Sequence, residues 1–319
     1  PVLSRRFLYA KKVLSKKKAE INSDSGLCIK VPDLSIFFEI VANSVLKEPT
    51  GSLVEILAES NIRRGLELVR EFLASGHTSA DYALKTYLLN GEYVFPQHEV
   101  FKGSILGQYK HYREETAQII NIFDSKLGIN NLQLLRYTIM SALSNMSASP
   151  AYEGTRVDDI CSDLHRIGVS ETNVLHVLSD LYKARFINST DRMSLKAESI
   201  IIPTRLGGYV VKKLSTRFMY YEMCLLDTNI QDEECWQEMR KLTETIGDSH
   251  KTEERMQKRI QRLRRFAKYQ TDKEKQWIEM CKNAKIEEIW GLENFKNSIV
   301  DIEQDIRRIG RSSRYQLEI

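Results

Sequence analysis

The stretch Glu59-Ser60-Asn61-Ile62-Arg63-Arg64-Gly65-Leu66-Glu67-Leu68-Val69-Arg70-Glu71-Phe72-Leu73 decides how the chain is read. It opens on Ser60-Asn61, a polar pair suited to a helix N-cap, where a short side-chain oxygen accepts an otherwise orphaned backbone N–H. Ile62, Leu66, Val69 and Leu73 follow at alternating four- and three-residue spacing, which predicts one buried helical face. Arg63 and Arg64 sit in the first turn, where the positive end of the helix macrodipole disfavours cations. Helix stability does not explain the pair, so one of the two is expected to face an anion.

Composition supports a mainly α protein. Across 319 residues, 42% are hydrophobic, enough for a core and more than one domain, while Pro (6) and Gly (15) are sparse. The most apolar run, Leu34 to Leu46, is interrupted by Glu39 and Asn43, and falls short of a membrane span. There is no secretory leader pattern. Five scattered cysteines (Cys28, Cys161, Cys224, Cys235, Cys281) without a C-x-x-C pair point to reduced thiols and a cytoplasmic location rather than a disulfide frame or zinc site. The net charge of +4 is concentrated: residues 1–30 carry 8 Lys+Arg against 2 Asp+Glu, and the remainder is nearly balanced. The sequence begins at Pro1 within a helix-like pattern, from which a longer polypeptide is expected.

Residues 1–90 read as a succession of helices. The first, over 2–18, has apolar positions Leu3, Phe7, Ala10 and Leu14 and a basic remainder, read either as a phosphate- or partner-facing surface or as a solvated face. A loop at 22–26 and a short strand or link over 27–31 lead to an apolar helix capped by Asp33. Further helices begin at Ser52, at the quoted stretch, and at Thr78-Ser79. Residues 91–131 read as a helical linker, with Tyr109-Lys110-His111-Tyr112 as an aromatic and basic cluster.

Ser60-Asn61-Ile62-Arg63 resembles the sensor-2 motif of AAA+-type P-loop ATPases, with Ser60 in place of the usual leading Gly. The match is nearest to the replication-initiator and STAND-like branches. The resemblance implies a lid-like helical domain over 1–90, in which Arg63 (with Arg64 and Asn61 beside it) meets the phosphates of magnesium-bound ATP. A separate P-loop domain would hold the nucleotide. It also implies a role in replication initiation or in prokaryotic, including antiviral, defence.

Residues 132–214 show helices over 132–143, 157–167 and 171–184, the last two joined at Gly168-Val169 and the last capped by Ser170. Strands are expected at 185–187 and 199–202 around a polar hairpin, then a helix from Leu206. The order resembles a winged-helix domain. Its presumed recognition helix offers Asn173 and His176 to a base edge but also two acids, and the wing offers Arg192, Lys196 and Arg205. Protein packing and duplex binding both stay open, with packing favoured.

Residues 215–319 read as a helical tail with hairpin or coiled-coil spacing: Met256, Ile260, Leu263 and Ala267, then Phe295, Ile299, Ile302, Ile306 and Ile309. Between Arg255 and Lys268 stand seven cations and no acid, among them Arg259, Arg262, Arg264 and Arg265. They serve phosphates or an acidic partner, or pair internally with 232–234 and with Asp301, Glu303 and Asp305; the neutral balance of the tail favours internal or subunit-to-subunit pairing.

The chain has no G-x-x-x-x-G-K-[ST] loop, H-E-x-x-H, G-x-S-x-G or G-x-G-x-x-G. A complete active site is therefore not expected within it. The leading expectation is a regulatory part of an AAA+/STAND-like ATPase in a homo- or hetero-oligomer, with possible DNA contact and no membrane. The alternatives are a stand-alone winged-helix DNA-binding regulator dimerising through its C-terminal helices, or a structural scaffold subunit.

Overall fold

A computed structural model describes residues 2–22, 28–31, 33–46, 50–59, 61–191, 194–248, 252–291, 293, 295, 300–302, 304–305 and 307–308. The protein is mainly helical with little sheet, as the composition implies. Contacts divide it into two units, Pro1–Ile119 and Ile120–Ile319.

The first unit contains α1 (Val2–Leu14), a hairpin of β1 (Ala19–Asn22) and β2 (Cys28–Val31), α2 (Ser35–Val45), α3 (Thr50–Ala58), α4 (Ile62–Ala74), α5 (Ala80–Asn90) and α6 (Gln97–Leu106). β1 is an addition to the expected order; it pairs antiparallel with β2, Ala19 opposite Val31. Ile40, Val41, Val45, Val54, Val69, Phe72, Leu84, Phe95 and Val100 form the core. Ser44 Oγ donates to Ile40 O and accepts from Phe95 N at 2.8 Å, so a buried hydroxyl satisfies the segment entering α6.

The second unit begins with α7 (Leu135–Met146), then β3 (Thr155–Arg156), α8 (Val157–His165), α9 (Glu171–Lys183), β4 (Ile187–Ser189) and β5 (Ile200–Pro203). The sheet is antiparallel in the order β3-β5-β4, with Thr155 opposite Ile201 and Asn188 opposite Ile202. Gly168 takes φ +81° in the α8–α9 turn, a left-handed conformation that glycine adopts without Cβ strain. Ser170 caps α9 by accepting Asn173 N. α10 (Arg205–Tyr209) continues into a π-helical turn over Val210–Leu214. Thr204 starts α10, its hydroxyl accepting Gly207 N at 3.0 Å and donating to Arg185 O at 2.7 Å. A Cβ on Gly207 would lie 2.3 Å from Phe186 O and 2.5 Å from Met140 Cε, so only glycine lets α10 sit this close to α7 and to the backbone entering β4.

α11 (Phe218–Asp227), α12 (Glu233–Asp248), α13 (Thr252–Asn283) and α14 (Glu287–Trp290) follow. α12 runs antiparallel along α13: Glu238, Thr243 and Thr245 meet Arg265, Arg262 and Lys258 in that order. Of the expected final apolar series, Phe295 and Ile302 are buried, and Ile299, Ile306 and Ile309 lie outside the described residues.

The contact units do not coincide with the expected segments, and one expected helix face is overturned. The division at Ile119 falls inside the stretch read as a linker, 91–131. Phe95 and Val100 belong to the first core, and Tyr220 Oη donates to Ile120 O in the second unit. Nor do contacts separate 132–214 from 215–319, because Phe123, Tyr137, Tyr221, Phe266 and Phe295 share one buried aromatic cluster. The overturned face is that of α4. Its buried face is Gly65, Leu68, Val69 and Phe72, while Ile62 and Leu66 are exposed. α4 packs on α3 and α6, and Phe72, the largest apolar group of the helix, lies beside Gly103 of α6 and edge-on to Phe95, its ring centroid 5.6 Å away.

Candidate functional site

In the first unit, the start of α4 presents the two arginines differently. Asn61 is the N-cap, its Oδ1 accepting Arg64 N at 3.2 Å, which gives it a structural task at this position. Ser60 lies outside the described residues. Arg64 is three-quarters buried and committed: it donates to Gln118 Oε1 and lies 3.6 Å from both Glu67 Oε2 and Glu71 Oε1. Gln118 Nε2 in turn donates to Glu71. Arg63 points outward, 90% exposed, with only a 3.9 Å approach of its Nε to Glu67. The local geometry therefore separates a structural arginine from an available one, a distinction the sequence alone does not supply.

In the second unit, Asn173 is half-buried near the start of α9, and His176 is exposed with Nε2 3.6 Å from Asp180 Oδ2. Lys196 and Arg205 are exposed, and Arg192 lies outside the described residues. Asp180 does not face a duplex as a spare acid. It accepts at 2.5 Å from Arg136 Nη2, and Arg136, 1% exposed, also donates from Nη1 to Asn121 O. The acid of α9 thus fastens that helix to α7.

The basic helix α13 is largely spent internally. Arg259 donates from Nε to Glu222 Oε1 at 2.6 Å and from Nη2 to Oε2, a two-point carboxylate grip. Arg262 reaches the same Oε1 at 3.2 Å and Thr243 Oγ1 at 3.0 Å. Arg265 pairs with Glu238, and Lys258 with Glu254. Arg255, Arg264 and Lys268 remain exposed. Among the described residues, the carboxylates that meet Lys258, Arg259, Arg262 and Arg265 are Glu254, Glu222 and Glu238. Asp305 instead accepts Phe218 N at 2.8 Å, with Arg217 and Arg308 beside it. The antiparallel register of α12 on α13, and the crossing of α11, set which carboxylates arrive.

Arg136 and Glu222 were not singled out in the sequence. Each has a usable signal: it is a lone charge in an apolar run, Leu134-Leu135-Arg136-Tyr137 and Tyr220-Tyr221-Glu222-Met223. A charge buried in such a run needs a paired, hydrogen-bonded counter-charge.

Cys161, Cys224, Cys235 and Cys281 are buried and not joined in disulfides. Burial pushes the Cys161 and Cys235 thiols up to about 11 and that of Cys281 up to about 12. These three thiols stay protonated at neutral pH, which removes their nucleophilicity. Site-resolved mass spectrometry after iodoacetamide treatment at neutral pH is expected to show Cys161, Cys235 and Cys281 unlabelled in native protein and labelled after denaturation. Because the folded state holds these protons more tightly, the stability they confer is complete below the ordinary thiol value of 9.0 and is lost as pH rises towards 11–12.

Among the described residues, no group of three or more His, Cys, Asp and Glu is arranged to hold a metal, and no helix is long and apolar enough to cross a membrane. Comparison with family models, curated proteins and solved structures finds no match to this chain.

Proposed function

We propose that this chain is a regulatory portion of an AAA+/STAND-like ATPase, with a lid-like first unit and a winged-helix second unit extended by a helical hairpin. In this reading Arg63 contacts the phosphates of ATP, held with magnesium by a P-loop domain that the chain does not itself contain. The carrying observation is the contrast at the start of α4: Arg64 is fastened to Glu67, Glu71 and Gln118, while Arg63 projects into solvent. An exposed cation against the helix macrodipole is a cost that a phosphate would offset.

The α8–α9 pair and the three-stranded sheet support the winged-helix reading of the second unit. Within it, α9 serves protein packing rather than base reading. Its Asp180 is drawn to the buried Arg136, and its exposed positions include Glu171 with Lys183 as the cation at the far end. A duplex-reading helix would present cations to phosphates.

The test compares two neighbouring substitutions in the polypeptide that joins this chain to its P-loop domain. Arg63→Ala is expected to lower ATP turnover roughly 10- to 100-fold, the loss of one charge-assisted contact, with an unchanged melting temperature. Arg64→Ala is expected to destabilise the first unit by about 1 kcal/mol, since its partners are partly solvated. Wild-type turnover by Arg63→Ala would sink the sensor assignment.

A further inference from the structure

We propose that the outward face of α1 docks the protein on an anionic lipid bilayer. α1 turns Phe7 inward, with Ala10, Lys11 and Leu14 half-buried, and Lys11 Nζ lies 2.6 Å from Glu39 Oε2. The opposite side carries Arg5, Leu8, Tyr9, Lys12 and Val13, followed by Lys16, at the spacing that aligns residues along one helix face. Leu8 is 66% exposed, Tyr9 69% and Val13 44%. Arg6, Lys17 and Lys18 are exposed as well, and residues 2–18 contain no Asp or Glu. Among the described residues, the ion pairs of this helix are confined to Lys11.

Charge complementarity requires a polyanion, and the interleaved apolar groups select which kind. At a bilayer surface, leucine, valine and the tyrosine ring enter the boundary between headgroups and acyl chains. The arginine and lysine stems extend outward to place their charges among phosphate and carboxylate headgroups. A nucleic-acid backbone supplies the phosphates but gives Leu8 and Val13 nothing apolar to bury against. This is attachment in the plane of the surface, distinct from spanning, for which 13 residues are too few.

The experiment is co-sedimentation of the 319-residue chain with phosphatidylcholine vesicles, and with vesicles of phosphatidylcholine mixed with phosphatidylserine, alongside duplex DNA at equal salt. The expected result is retention by the serine-containing vesicles alone. Arg5→Gln/Arg6→Gln/Lys12→Gln is expected to weaken that retention about 100-fold, near fivefold per surface cation. Leu8→Ser/Tyr9→Ser/Val13→Ser is expected to weaken it at least about tenfold through lost apolar burial. Both variants alter exposed positions, so their thermal melts should match the parent's, which separates loss of docking from loss of fold. Absence of binding to the anionic vesicles overturns the proposal. So does unchanged binding by the apolar variant, or preferential binding to DNA with the same dependence on the three cations.

Discussion

Glu222→Ala is expected to destabilise the second unit by about 3–5 kcal/mol, the cost of leaving buried charge uncompensated. Glu222 is 7% exposed and is the carboxylate shared by Arg259 and Arg262, the latter 5% exposed. Removing it strands two guanidinium groups beneath α11, where Phe218 also lies against Arg259 at 5.4 Å from the ring centroid. Glu222→Gln retains an acceptor and the shape but not the charge, so it should fall between parent and alanine variant. The measurement is urea unfolding followed by tryptophan fluorescence. Trp236, Trp277 and Trp290, the three tryptophans of the chain, all lie in the second unit, so the signal reports that unit alone. A loss below about 1 kcal/mol, the range of exposed pairs, would show that the triad is solvated.

Phe123→Ala is expected to cost a similar amount, about 3–5 kcal/mol, by a different mechanism. Phe123 is fully buried, and its ring centroid lies 5.1 Å from that of Tyr221, 5.6 Å from Tyr137 and 6.0 Å from Phe295. Those rings come from α7, α11 and the segment after α14, so the side chain occupies the point where distant elements converge. Truncation removes apolar burial and leaves a cavity that rigid rings close poorly. Phe123→Leu, which retains most of the volume, should cost clearly less in the same urea experiment. Equal losses for the two variants would locate the effect in the aromatic contacts rather than in the cavity.

Much of the local structure was legible because its causes are local. Ser170, Ser79 and Asn61 each accept a backbone N–H two or three residues into the following helix, as a polar residue before an apolar period implies. The isoleucine run Ile200-Ile201-Ile202 forms β5, with Ile201 buried between two exposed neighbours, an alternation typical of a strand. β1 and β3 were not legible: Ala19–Asn22 and Thr155–Arg156 are short, and pairing across the sheet, rather than their own residue types, makes them strands.

The candidate site divides in the same way. Sequence alone placed an arginine pair in the first turn of a capped helix and a dense run of cations on a later one, because capping and periodicity act over a single turn. Two adjacent stripes on α4 have nearly equal apolar content, and only tertiary packing, with Phe72 against Phe95 and Gly103, left Ile62 and Leu66 in solvent. Likewise, only the fold brought Glu71 and Gln118 to Arg64, leaving Arg63 exposed. Glu222 and Glu238 came to α13 by the same means. Those partners lie 27 to 54 positions apart in two of the pairings. Chain entropy makes such contacts depend on the whole packed arrangement rather than on any one segment, and that is where the sequence ceased to decide the outcome.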